Sequence, residues 1–201
     1  CISPGGLFDF FIHGLFLLSM CGEIKGSSST LILDFSGRSD RKHARLLHKF
    51  PSMDSVTVCT LLHFNPNCSG NSTIFSYSIQ SYINEFQLRA NLIQGKRVQL
   101  ALLVHGIHGP YEEAFDHDDS CLGPDGLFII GQEQDTFGGL FKSDQSFSGS
   151  ITELHIWDRV LNNSEILTME KQCSPVSSGL VFKWGGPNME IELLMFLVNV
   201  L

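Results

Sequence analysis

The sequence predicts an all-β fold, an antiparallel sandwich or jelly roll of two sheets with one short helix at residues 163–172. Three observations predict it. Sixteen Phe and nineteen Gly stand out in a chain of 201 residues, and these types favour strands and the tight turns between them. Short segments of alternating or β-branched character recur along the chain, parted by Gly- and Ser-containing turns. One stretch alone, NSEILTMEKQ from Asn163 to Gln172, has the character of a helix, with Ser164 in the place of an N-cap.

The elements follow in order. Leu7 to Met20 reads LFDFFIHGLFLLSM, an apolar stretch of leader length, and Ser19-Met20-Cys21 places small residues before a cut at Gly22. Residues 1–21 are therefore read as a fragmentary signal peptide without a basic start; the competing reading is a buried segment of the fold. Residues 22–30 form a polar spacer that contains Gly26-Ser-Ser-Ser-Thr30, and residues 31–201 form one domain without linker or repeat. Within it strands are expected at Leu31–Phe35, Val56–Phe64, Thr73–Ile79, Val98–Val104, Leu127–Ile130, Gly149–Trp157, Val181–Trp184 and Ile191–Leu201.

Composition limits the function. Apolar residues make up 43% and charged residues 17%, enough to bury a sizeable core and too weakly charged for a disordered chain. Thirteen basic against twenty-one acidic residues give a net charge of −8, a poor counterion for nucleic acid. No apolar run reaches the roughly 18–20 residues of a bilayer span. The chain has no Ser elbow, Cys/His dyad or phosphate loop, so an enzyme is not expected. Three glycosylation triplets, at Asn67, Asn71 and Asn162, agree with secretion. Without the leader, four cysteines remain, Cys59, Cys68, Cys121 and Cys173; they permit three pairings, and none has zinc-ligand spacing. Disulfides are the reading; buried free thiols are the alternative. The segment His105–Asp119, with three His and five acidic residues at irregular spacing, reads as a solvated acidic loop rather than a transition-metal site.

Residues Gly126 to Leu161 read GLFIIGQEQDTFGGLFKSDQSFSGSITELHIWDRVL. In order and spacing this resembles the pentraxin family, supported upstream by Val56-Thr57-Val58-Cys59 and Ile74-Phe75-Ser76-Tyr77-Ser78, and downstream by Ser178 to Trp184. The resemblance implies a pentraxin jelly roll, secretion, a pentamer-like ring and calcium-dependent recognition of small anionic or carbohydrate ligands on microbial or damaged-cell surfaces, in innate immunity. It assigns Asn84, Glu133, Gln134, Asp135 and Gln145 to a double Ca2+ site. Their chemistry agrees, since calcium takes six to eight oxygens from carboxylates, amides and backbone carbonyls. Two departures weaken that site: Ile83 and Lys142 stand where the family has acids, with Asp144 as a substitute two residues on. Arg89 takes the place of a choline-packing aromatic, which argues against phosphocholine. The family's strand with His, Cys and Trp in close succession is missing between Asn84 and Gly131. That removes the implied partner of Cys59; Cys68 or Cys121 is then its substitute, and Cys121 with Cys173 is a further pairing. The alternative function is a pentraxin-type extracellular module of an adhesion receptor or larger protein, without calcium-dependent binding.

Overall fold

Among the described residues eleven strands and one helix follow one another: β1 (Leu33–Phe35), β2 (His43–Leu46), β3 (Thr57–Phe64), β4 (Gly70–Ile79), β5 (Tyr82–Ile93), β6 (Arg97–Val104), β7 (Ile107–His108), β8 (Leu127–Ile130), β9 (Gly149–Trp157), α1 (Asn163–Gln172), β10 (Leu180–Lys183) and β11 (Ile191–Leu194). The computed structural model describes residues 31–93, 97–104, 107–108, 121–172, 174–186 and 191–194. The expected leader, the spacer, most of the His105–Asp119 segment and Cys173 lie outside them.

The strands form the two antiparallel sheets of a jelly roll. The larger sheet runs β11-β2-β8-β4-β5-β6-β7. In the smaller one β9 is the hub: β1 and β10 pair along one side of it and β3 along the other. Between the sheets lies the core, with Phe35, Val58, Ile151, Leu154 and Ile156 facing Ala44, Leu46, Phe75, Tyr77, Phe86, Leu88 and Phe128. The abundant phenylalanines meet here. Phe75 stacks on Phe128 at 4.9 Å and tilts against Phe86 at 5.3 Å, while Phe50 meets the Tyr77 ring edge-on at 5.7 Å. Burying each such ring contributes about 1.5–3 kcal/mol.

A bulge sets the phase of β9. Its register with β3 slips between Cys59 and Leu61, and opposite the slip Glu153 adopts a left-handed φ of 52°. The extra residue lets Ile151, Leu154 and Ile156 all face the core, which strict alternation forbids. Beyond the bulge, α1 packs on the end of the small sheet through Met169, Leu161, Trp157 and Cys59. The N-cap of α1 is Asn162 and not the expected Ser164. Its Oδ1 accepts the Glu165 N–H at 3.0 Å while its own N–H donates to Glu165 Oε2 at 2.9 Å, a reciprocal capping box.

Several strand expectations hold closely, at Leu127–Ile130 and Gly149–Trp157 above all. Others shift: β1 begins at Leu33, β4 begins earlier at Gly70, and β10 ends at Lys183 because Trp184 belongs to a turn. Three described strands, β2, β5 and the two-residue β7 inside the segment read as an acidic loop, are not expected from periodicity. Cys68 and Cys121 are free thiols, so the pairings that use either are withdrawn.

Candidate functional site

The outer face of the large sheet is polar and yet buried. Alternation along β4 and β5 sends Tyr77, Phe86 and Leu88 to the core, and therefore Ser76 and Gln87 to the opposite face, where both are inaccessible to solvent. What covers them is the loop from Gly131 to Phe147. It leaves β8 at Gly131, whose φ is 87° and whose N–H bonds to the Ile74 carbonyl at 2.8 Å. It returns where the Phe147 N–H bonds to the Gly131 carbonyl at 2.9 Å. Between these points glutamine side chains pin it down. Gln132 donates to the Lys42 carbonyl at 3.0 Å, and Gln134 donates to the carbonyls of Ser76 and Leu127 at 3.2 Å each. The Gly138 N–H in turn donates to Gln134 Oε1 at 2.9 Å.

This loop brings together the residues singled out from the sequence. Asn84, in a left-handed conformation with φ 57°, donates its backbone N–H to Ser78 Oγ at 2.9 Å and its amide to Glu133 Oε1 at 3.4 Å. Glu133 is buried, at 6% exposure, while Asp135 lies nearer the rim. Gln145 is fixed by its backbone, its carbonyl accepting the Thr73 N–H at 2.7 Å. The side chain of Gln134 points to the sheet and is fully used there, as described. Asp144 gives its backbone carbonyl to Arg38.

Two cations sit among these oxygens. The Arg89 guanidinium pairs with Glu133 Oε1 and is steadied by its Nε, which donates to Gln87 Oε1 at 2.8 Å. Lys142 Nζ pairs with Asp135 Oδ2 at 2.8 Å. Burial pushes the Glu133 carboxyl above its ordinary range, and Arg89 opposes that push. The bond to Asp135 raises Lys142. The role of Arg89 was missed in the sequence. Its partner is 44 residues away, and the two meet only because Thr73 pairs with Arg89 and bridges to Ser146 in the returning loop.

Three oxygens of the set, Asn84 Oδ1, Glu133 Oε2 and Gln145 Oε1, are buried and have no hydrogen-bond partner. Oxygens of this kind suit a cation. The charge balance does not: two carboxylates already face two side-chain cations, and affinity for calcium follows ligand charge. Among the described residues no group of three or more His, Cys, Asp or Glu is arranged to hold a metal ion. As it stands, the set does not fit a pair of divalent ions.

Beside the site, Glu85 is buried at 3% exposure; its Oε1 accepts the Gly123 N–H at 2.9 Å and its Oε2 is bare. Burial raises its pKa. Between the ordinary and the raised value the folded chain holds a proton that the unfolded chain has lost, so this carboxyl's contribution falls as pH rises through that window. Glu85→Gln keeps an acceptor for Gly123 and removes the charge. It is expected to stabilise the protein at neutral pH by about 1–3 kcal/mol, several degrees of melting temperature. Thermal melts between pH 4 and 8 check this; an unchanged or lower midpoint at pH 7 refutes it. Away from the site, Asn67, Asn71 and Asn162 are all exposed.

Comparison with known proteins bears on this arrangement. The family model described as the Pentaxin family matches residues 98–197. The chain is 28% identical over 190 residues to the human Adhesion G protein-coupled receptor D2, covering 78% of this chain and 20% of that protein. It is 30% identical over 183 residues to mouse Neuronal pentraxin-2, covering 77% of this chain and 42% of that one. The chain thus spans less than half the length of these relatives. In fold it is similar to the native heptameric SAP-like pentraxin from Limulus polyphemus, with a TM-score of 0.65, 20% identity, and 82% and 92% of the two chains covered. It is also similar to part of the full extracellular region of zebrafish Gpr126/Adgrg6, with a TM-score of 0.52, 15% identity, and 78% and 24% covered.

Proposed function

Because the chain belongs to the pentraxin family, we propose that it is an extracellular recognition module, of the kind carried by adhesion receptors, that engages its partner without calcium. One observation carries this reading: Glu133 and Asp135 each already hold a side-chain cation. In metal-dependent recognition the ligand's anionic oxygens complete the coordination of a bound ion. Here the carboxylates that would hold such an ion are neutralised by Arg89 and Lys142. The similarity to an adhesion receptor and to a receptor's extracellular region supports the module reading. Secretion is supported by the exposed glycosylation triplets and by Cys59, which takes part in a disulfide whose partner lies outside the described residues. Assembly into a ring is proposed from the likeness to a heptameric chain.

The second reading is a soluble, calcium-dependent pentraxin of innate immunity that binds small anionic or carbohydrate ligands; the neuronal pentraxin similarity and the three bare oxygens favour it. Binding of the purified glycoprotein to intact animal cells, scored by flow cytometry with calcium and with EDTA, separates the two. Equal binding in both conditions is expected. Loss of binding in EDTA overturns the calcium-free reading in favour of the second.

A further inference from the structure

We propose that Arg89 and Lys142 are resident cations standing where divalent ions would sit, and that Arg89 keeps a latent divalent-cation site closed. This deepens the calcium-free reading above and rests on it.

The two carboxylates of the loop stand two residues apart, and each has one cation of its own: Arg89 for Glu133 and Lys142 for Asp135. The surrounding oxygens have nevertheless survived. Glu133 Oε1 takes both the Asn84 amide and the guanidinium, while Glu133 Oε2, Asn84 Oδ1 and Gln145 Oε1 remain bare and buried. Bare buried acceptors are uncommon, since leaving one unpaired loses its hydration without return. Against these three acceptors stands one buried donor, the Gln87 amide, which lies against Glu133 and is held by Arg89 through its oxygen. A guanidinium is a planar fork with fixed N–H directions. With Nε committed to Gln87 and a terminal nitrogen to Glu133 Oε1, Arg89 neutralises the pocket without filling its coordination shell. A spherical ion does both.

Arg89 and Lys142 differ in how firmly they hold their places. Lys142 is 55% exposed on a flexible stem and can swing its ammonium into water when an ion enters. Arg89 is 22% exposed and lies against a carboxylate that is 7% exposed. Without Arg89 the Glu133 carboxylate is left with the Asn84 amide beside it, and Gln145 on the same loop carries a further bare amide oxygen, the hard-oxygen chemistry that selects calcium.

The test is a calcium titration of the intact glycoprotein by calorimetry and by melting temperature. The unaltered protein is expected to give no binding heat at millimolar calcium and the same melting temperature in calcium and in EDTA. Arg89→Gln is expected to gain calcium affinity on the order of 10-fold or more and to melt higher with calcium than with EDTA. Arg89→Lys, which keeps the charge, is expected to behave as the unaltered protein; Lys142→Ala alone is expected to do the same. If Arg89→Gln folds only when refolded with calcium, the proposal stands. If it fails to fold even then, Arg89→Lys decides: calcium blindness supports the charge argument, and calcium binding overturns it. The proposal is also overturned if the unaltered protein binds calcium at sub-millimolar concentration, or if a folded Arg89→Gln is calcium-blind. A calcium-blind Arg89→Gln leaves calcium-independent cell binding standing, and absence of cell binding leaves these titrations intact, so the two failures are distinguishable.

Discussion

Replacing Gly149 with alanine is expected to abolish the stable folded state. Gly149 opens β9, pairs with Phe35 on one side and Phe64 on the other, and has a φ of 145°. A Cβ there would lie 2.0 Å from the His63 carbonyl oxygen and 3.1 Å from the Phe147 ring. The first of these is backbone of a paired strand, so relief requires pulling β3 off β9. That strand pair carries one wall of the core. A clash of this kind, with added strain at an unfavourable φ, costs about 4 kcal/mol or more, a large share of the roughly 5–15 kcal/mol that holds a domain folded. Gly37 serves as the control: its φ is 82°, but nothing lies within 4 Å of the point a Cβ would occupy. Gly37→Ala therefore costs only the left-handed strain, about 1–2 kcal/mol. Urea unfolding compares the two. A Gly149→Ala protein as stable as Gly37→Ala would mean that β3 shifts freely against β9, contrary to the packing described.

Tyr77→Phe is expected to cost about 2–5 kcal/mol although it removes a single oxygen. The Tyr77 hydroxyl donates to the Gly123 carbonyl at 2.6 Å and accepts the Gly126 N–H at 3.0 Å. Phenylalanine fills the same space and leaves both backbone groups unpaired beneath the loop that leads into β8. The same hydroxyl gives a pH signature. Burial pushes its pKa up to about 12 from an ordinary 10. The ionised form is disfavoured in the folded state, so the contribution is complete below pH 10 and is lost as pH rises from 10 through about 12. Tyr77→Phe should be less stable at neutral pH and should lack this alkaline decline. Denaturant melts at pH 7 and at pH 11 check both signs; a cost under 1 kcal/mol at neutral pH defeats the argument. Because Glu85 also bonds Gly123, the two sites share a partner, and their substitutions should not be additive.

The strands that were legible in the sequence are those whose period reports one buried face and one turn at each end, such as β8 and β9. β5 carries an equally regular set, Phe86, Leu88, Ala90 and Leu92, all buried. It went unread because the residues between them, Glu85, Gln87 and Arg89, look like solvent residues. They are covered by a loop from a distant part of the chain, and no local pattern records that cover. β2 is only four residues long, two of them basic or titratable, and has too little period to stand out. The site was legible in its acceptors, because the loop motif carries most of them in one short stretch. It was illegible in its cations. Lys142 was seen as a lost acid and Arg89 as an obstacle to a quaternary ammonium, whereas their meaning is pairwise and depends on strand register. The cysteines failed differently: spacing allowed Cys68 and Cys121 as partners, and only the fold shows both to be free thiols.

The hub position of β9 has a mechanical consequence. Among the described residues neither β1 nor β10 has another neighbour in the small sheet, and β1 is joined to β9 along only three residues. At the other end of the described chain β11 is joined to β2 along four. Tension entering before residue 31 and leaving after residue 194 therefore reaches these two short terminal seams first. These open as local units at low force, while the eight-residue β3 and the long β4–β5 pair stay closed. Under load the module would yield in stages, lengthening from its ends while the loop that carries Glu133 and Arg89, anchored on β4 and β8, keeps its shape.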